Sequence, residues 1–456
     1  MLSTQPTPLP KIEDVILIEE ESAASYMKSE GEDLEGSTVG RTDFTETEQR
    51  KILRKIDFRL LPILGAMYAI SLMDRTNLGL AAVAGMNSDL NLIGNRYTII
   101  IMVFFVMYII FEIPSNLMLS KAGPANWLAF LGVAFGSILI GMGFTKSFET
   151  MAICRALLGA TEAGFLPGCT FLISCWYKRL GAFWILSVIV SGFAAVFAYV
   201  LTLLKGKHGL NGWQWIFIIE GAITVVICII GWFLIADFPE KAKFLTLKER
   251  QYAIERINDD RGDGEQDKIT LRLVIHHLAD PKLYAFSFML MSSTLPGYAY
   301  SYFLPIIFKE GLGYSTSKSQ LMSAPPYVLA AILTYSSSWL ADRFQIRGPV
   351  IAFHQAMTTV PGVITYQANN ITSHSKRAVA AGTCMMGGGL GGIIASVAFR
   401  SQESPGYKTG VYTTLGLSLA SITIIAVLML WFRHCNKQAR AGTRRINGLE
   451  NWYYTY

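Results

Sequence analysis

The chain has 456 residues, 52% of them hydrophobic and only 16% charged, a balance that excludes a string of soluble domains. Its net charge of +6, from 39 Lys and Arg against 33 Asp and Glu, sits in short loops and forms no basic stripe, which excludes nucleic-acid binding. Apolar runs of about 20 residues recur along the chain, the length that crosses a hydrocarbon core of roughly 30 Å, where only helices satisfy their own backbone. The sequence therefore predicts an all-α polytopic membrane protein.

Residues 1–49 mix acids such as Glu19, Glu20 and Asp33 with Ser, Thr and Pro, and are expected to form a disordered cytosolic tail. No apolar run stands near the N-terminus, so no cleavable signal peptide is expected and the first span would direct insertion. The first half, residues 50–237, offers spans at Leu60–Val83, Tyr97–Leu119, Trp127–Phe144, Met151–Cys175, Phe183–Leu204 and Trp215–Ala236. A charged stretch, residues 238–282, is expected to be a cytosolic loop. In it Thr246 and Glu249 have capping-box spacing, and Leu247, Ile254 and Ile257 would form the apolar face of a helix.

The second half, residues 283–432, offers Tyr284–Phe308, Met322–Leu340, a weak Pro349–Tyr366, Val379–Phe399 and Val411–Phe432, before a tail at residues 433–456. Basic clusters at Arg50–Arg59, Lys241–Lys282 and Arg433–Arg445 place both termini in the cytosol. Two cytosolic termini need an even number of crossings, whereas about eleven apolar segments are visible. Pro349–Tyr366 is the segment expected not to cross, as a broken or partial helix interrupted at Pro361-Gly362, because both its flanks are basic.

The first span runs into Met73-Asp74-Arg75-Thr76-Asn77. A charge near the bilayer centre costs roughly 2.5–3.5 kcal/mol, so this pair either ends the helix at Met73 or faces a polar cavity. In the fourth span Arg155 and Glu162 share a helix face about 10 Å apart, too far to pair, so each needs a partner on another helix, a ligand or water. They and Asp74-Arg75 form a four-charge constellation, for which an inert ion-pair network is the alternative reading. Glu112 and Glu220 read as packing or gating residues. Gly387, Gly388, Gly389, Gly391 and Gly392 lack the Lys-Ser/Thr of a phosphate loop and would let helices approach closely. His276-His277 reads as interfacial, and the six cysteines form no CxxC, so neither metal nor disulfide is expected. No HExxH, GxSxG or paired-carboxylate motif appears, which argues against an enzyme, and no cofactor is called for.

Met73-Asp74-Arg75-Thr76-Asn77-Leu78-Gly79, Phe111-Glu112-Ile113-Pro114-Ser115-Asn116, Arg155-Ala156-Leu157-Leu158-Gly159-Ala160-Thr161-Glu162, Trp213-Gln214-Trp215-Ile216-Phe217-Ile218-Ile219-Glu220-Gly221 and Lys376-Arg377-Ala378 together resemble the fungal allantoate permease family, in the anion:cation symporter branch of the major facilitator superfamily. The resemblance implies twelve helices in two halves, and uptake of a small carboxylate such as allantoate or nicotinate with protons, by a monomer in the plasma membrane. It implies substrate contacts at Arg75, Arg155 and Tyr108, proton coupling at Asp74 and Glu162, and a second-half gating loop at Asp342-Arg343. The sequence departs from the family between Lys178 and Gly181, and at Thr359-Val360, where the chain jumps from the ninth helix into the end of the tenth. With a helix lost there, the alternative is a transport-inactive membrane protein, a nutrient receptor or the product of a truncated gene.

Overall fold

The charged pair does not end the first helix. In the computed structural model, which describes residues 44–177, 193–236, 238–261, 271–344, 347–354, 360–372, 374–400, 403, 406–443, 445–446 and 452–455, helix α1 runs unbroken from Glu46 to Ala81. It starts within the stretch expected to be a tail and carries Asp74 and Arg75 in its interior. A π turn, Ala82–Met86, follows, with Gly85 at φ 116°, a conformation suited to glycine. Helices α2 (Arg96–Ala122) and α3 (Pro124–Met142) come next.

The fourth expected span is two helices, α4 (Phe148–Glu162) and α5 (Phe165–Trp176). Continuous apolarity hides a break at Gly164, which has φ 74°, while Pro167 sits in the first turn of α5 where its missing N–H does no harm. Helix α6 (Phe193–Thr202) and α7 (Gly212–Leu234) complete this half. The shortened stretch at Lys178–Gly181 lies outside the described residues.

Helix α8 (Leu247–Arg261) opens with the expected capping box, Glu249 accepting from the Thr246 N–H and Thr246 Oγ1 from the Glu249 N–H. Its apolar face differs from expectation, because Leu247 is 80% exposed and Ala253 is the buried position. Helices α9 (Leu271–Leu278) and α10 (Pro281–Ile306) follow, then α11 (Thr316–Met322) and α12 (Ala324–Phe344).

The described residues of Pro349–Tyr366 fall in helix α13 (Arg347–His354) and helix α14 (Val360–Asn370), and residues 355–359 between them lie outside the described residues. The chain is not interrupted at Pro361-Gly362 as expected, because Pro361 lies in the first turn of α14, a position proline tolerates. Thr359 itself lies outside the described residues. Helices α15 (His374–Ala398) and α16 (Lys408–Arg440) close the chain.

The C-terminal segment is not a loose tail. Tyr454 is buried, stacks on Phe432 at 4.2 Å, accepts a hydrogen bond from Lys282 Nζ and exchanges backbone hydrogen bonds with the Asn436 side chain. The next residue, Thr455, donates its N–H to Asn370 Oδ1, so the segment joins the starts or ends of α10, α14 and α16.

Seven helical stretches among the described residues are long and apolar enough to cross a membrane. They show broad apolar surfaces, with Phe130, Phe233, Tyr412 and Leu430 exposed, as lipid-facing residues are. Small residues bring crossing helices together. The glycine run of α15 lies against the α10 backbone at Ser287 and Met291 and against Phe105 of α2. Gly159 of α4 meets the Phe104 carbonyl of α2, leaving no room for a side chain.

Candidate functional site

Where α1, α2, α4 and α10 meet, Arg75 is the central group. Its Nε and Nη2 both lie 2.8 Å from Glu162 Oε1, and the same oxygen accepts from Ser71 Oγ at 2.6 Å. The remaining arm, Nη1, donates to the Tyr298 hydroxyl at 2.7 Å. The guanidinium carbon lies 5.3 Å from the Tyr108 ring centroid and 5.8 Å from that of Tyr298, so two aromatic faces add cation–π attraction in a dry setting. Arg75 is 7% exposed and Glu162 2%.

The charges expected to act together are thus brought together unequally. Glu162 finds its interhelical partner in Arg75. Arg155, 1% exposed, lies over the Phe104 ring at 5.3 Å, and its Nε and Nη2 have no hydrogen-bond partner. Asp74 is hydrogen-bonded to neither arginine; both its carboxylate oxygens are buried without a hydrogen-bond partner. Tyr108 packs on Arg75.

Glu112 Oε2 accepts the Gly164 N–H at 3.4 Å and so caps the break directly after Glu162. Glu220 is buried on α7 with both oxygens unpartnered. Asp342 and Arg343 fall in the last turn of α12, and their side chains lie outside the described residues.

Sequence reasoning missed Ser71 and Tyr298. Ser71 stands four residues before Arg75, a spacing that puts both on one helix face and was available as a signal. Tyr298 meets Arg75 from 223 positions away, and nothing in Tyr298-Ala299-Tyr300-Ser301-Tyr302 distinguishes it from its neighbours. Toward the Ala81 end of α1, a cavity with room for about one water molecule lies between Thr76, Leu80, Ala195, Ser301, Ser323 and Tyr327.

Known proteins share this architecture. The chain is 31% identical to the MFS-type transporter cnsO of Penicillium expansum, over 90% of this chain and 88% of that one. It is 31% identical to the uncharacterized transporter C1683.12 of Schizosaccharomyces pombe, over 92% and 93%. The two alignments run to 461 and 458 positions, longer than the chain itself, so both relatives carry internal residues that have no counterpart here. Among solved structures, the proton:xylose symporter XylE bound to 6-bromo-6-deoxy-D-glucose has the same fold, with a TM-score of 0.61 at 13% identity over 82% of this chain and 96% of that one. Residues 64–427 match the family described as Major Facilitator Superfamily, and this integral membrane protein belongs to that superfamily.

Proposed function

We propose that the chain is a secondary transporter that moves a small organic anion together with protons by alternating access, in the manner of the allantoate permease branch it resembles. The observation that carries this reading is Arg75, a buried guanidinium shared between Glu162 of α4 and Tyr298 of α10. A planar fork of this kind grips a carboxylate through two parallel hydrogen bonds. An arriving anion competes with Glu162 for the Nε and Nη2 edge. Once displaced, the Glu162 carboxylate would be a buried charge without a partner, and taking up a proton removes that penalty. Anion entry and proton uptake are then one exchange at one arginine.

Arg155 supplies a second cation for the anion, and Tyr108 one wall of its site. The nitrogen-rich or pyridine carboxylates of the resembled branch fit a site faced by Tyr108, Tyr298 and Phe104. The clusters of Lys and Arg support the reading of both termini as cytosolic, in a plasma-membrane protein acting as a monomer.

The test is uptake of radiolabelled nicotinate and allantoate by cells or liposomes carrying the protein. Arg75→Ala should lose on the order of 2–5 kcal/mol of anion binding, a drop of at least tenfold in uptake, and Arg75→Lys should fare little better because an ammonium lacks the fork. Wild-type uptake by either variant would remove Arg75 from the site.

A second reading, a transport-inactive membrane protein, is favoured by the internal residues that the relatives have and this chain lacks. Sequencing the transcript across the codons for Thr359 and Val360 decides between a spliced-out helix and a chain made this way.

A further inference from the structure

Behind the Arg75–Glu162 pair lies a second polar site that the anion does not reach. Asp74 and Arg75 are consecutive, so helical geometry turns them about 100° apart. Met67, two turns before Asp74 on the same face, reaches α3 and α7 beside Gly132 and Gly231. Asn77 stands three residues beyond Asp74 on that face. Asp74, Asn77 and Glu220 are 1%, 0% and 3% exposed, and none of their six side-chain polar atoms has a hydrogen-bond partner.

The charged groups around Asp74 are Glu220 of α7, Glu162 and Arg155 of α4, and its chain neighbour Arg75. From α7 only Glu220 and Cys228 are titratable. Helix α3 presents no titratable side chain at all. Two ionised carboxylates enclosed here would each be desolvated and would repel one another, with no hydrogen bond from a cation to either. A buried carboxyl with no donor to satisfy it is stable in the membrane when it holds a proton.

We propose that Asp74 and Glu220 are a proton-binding carboxyl couple, set about 100° around α1 from the anion-binding edge of Arg75. Each carboxyl takes up one proton and loses its negative charge, and no other atom is exchanged. An anion seated at Arg75 adds negative charge within one helix diameter of the couple and so favours its loading. Glu220, whose sequence context suggested packing or gating, thereby becomes a carrier of the coupling proton. This assignment rests on the reading of the chain as an anion–proton transporter.

The test uses the purified full chain in liposomes, with infrared difference spectra recorded between acidic and alkaline pH. Wild type should show the carbonyl stretch of protonated carboxylic acids, lost as the pH rises. Glu220→Gln and Asp74→Asn should each remove one component and move the pH midpoint of the other. An unchanged band and midpoint in Glu220→Gln overturns the couple, and so does a wild-type band that ignores pH, which would mark a fixed structural acid. Loss of the band when sodium chloride replaces choline chloride would also overturn it, since the occupant would be a metal ion. Should Glu220→Gln fail to fold, Glu220→Asp retains an acid and must shift the midpoint; an unshifted one counts against the couple.

In parallel, nicotinate accumulation under a gradient of about one pH unit should fall about tenfold in Glu220→Gln, the factor one coupled proton contributes, with counterflow kept within about twofold. A pH-responsive band in a protein that moves no anion keeps the couple and removes the transport reading. A wild-type pH profile of uptake in Glu220→Gln does the reverse.

Discussion

Three hydrogens converge on one oxygen, Glu162 Oε1, from Ser71 and from two nitrogens of Arg75. On the proposed function, the carboxylate is the placeholder that an anion must evict. In Glu162→Gln the amide oxygen still accepts from Ser71 and Arg75, but the competing charge is gone. Anion binding in that variant should be retained or strengthened by up to about 1–3 kcal/mol, the worth of a hydrogen bond to a charged group, while accumulation driven by a pH gradient declines. Equilibrium binding measured beside concentrative uptake separates the two, and unimpaired accumulation would return the coupling role to the carboxyls behind α1.

Arg75 and Glu162 were legible in the sequence because a charge in an apolar run is expensive enough to demand an explanation. Their pairing was half legible: the seven-residue spacing ruled out Arg155 as the partner of Glu162 but could not choose Arg75 over a ligand or water. Tyr298 was illegible, since a tyrosine in a membrane helix is common and its partner lies half a chain away.

At the scale of elements, the break between α4 and α5 sets the height of Glu162. Gly164 there has φ 74°, and a Cβ on it would strike the Ser115 side chain of α2. Gly164→Ala should therefore cost roughly 1–3 kcal/mol in backbone strain alone, with the clash added, and show as a lower melting temperature in detergent. Melting at the wild-type temperature would mean that the break relaxes without loss.

The sequence did hold the signal, Gly164 followed three residues on by Pro167, the mark of a helix stop and restart. It was overridden by apolar continuity, which reports burial in lipid and says nothing of helical phase.

Across the whole molecule, ties between the first and second halves gather at the Ala81 end of α1. The π turn frees the Val83 carbonyl, which accepts from Lys309 Nζ at 2.7 Å and from Thr316 Oγ1 at 3.3 Å, while the Leu80 carbonyl accepts from Gln320 Nε2. Deeper in, Tyr97 donates to the Tyr302 carbonyl. This end is closed. In Lys309→Ala the Val83 carbonyl loses its charged partner, and the closed arrangement should weaken by about 1.5–3 kcal/mol. A cysteine placed at Thr76, in the small cavity below, should then react faster with an impermeant maleimide added from that side; an unchanged rate would show that the ties do not hold the gate.

The Arg75–Glu162 pair bears on the membrane potential as well. It sums to zero charge, and a carboxylate that arrives with a single proton adds none. The loaded and unloaded sites are then equally indifferent to voltage, although one uncompensated elementary charge would feel about 2.3 kcal/mol per 100 mV. Were Glu162 the one proton carrier, uptake into liposomes clamped with potassium and valinomycin would follow the pH difference alone. With a further proton on Asp74 and Glu220, accumulation should also grow with an inside-negative potential, and voltage-independent uptake would take that couple out of the transport cycle.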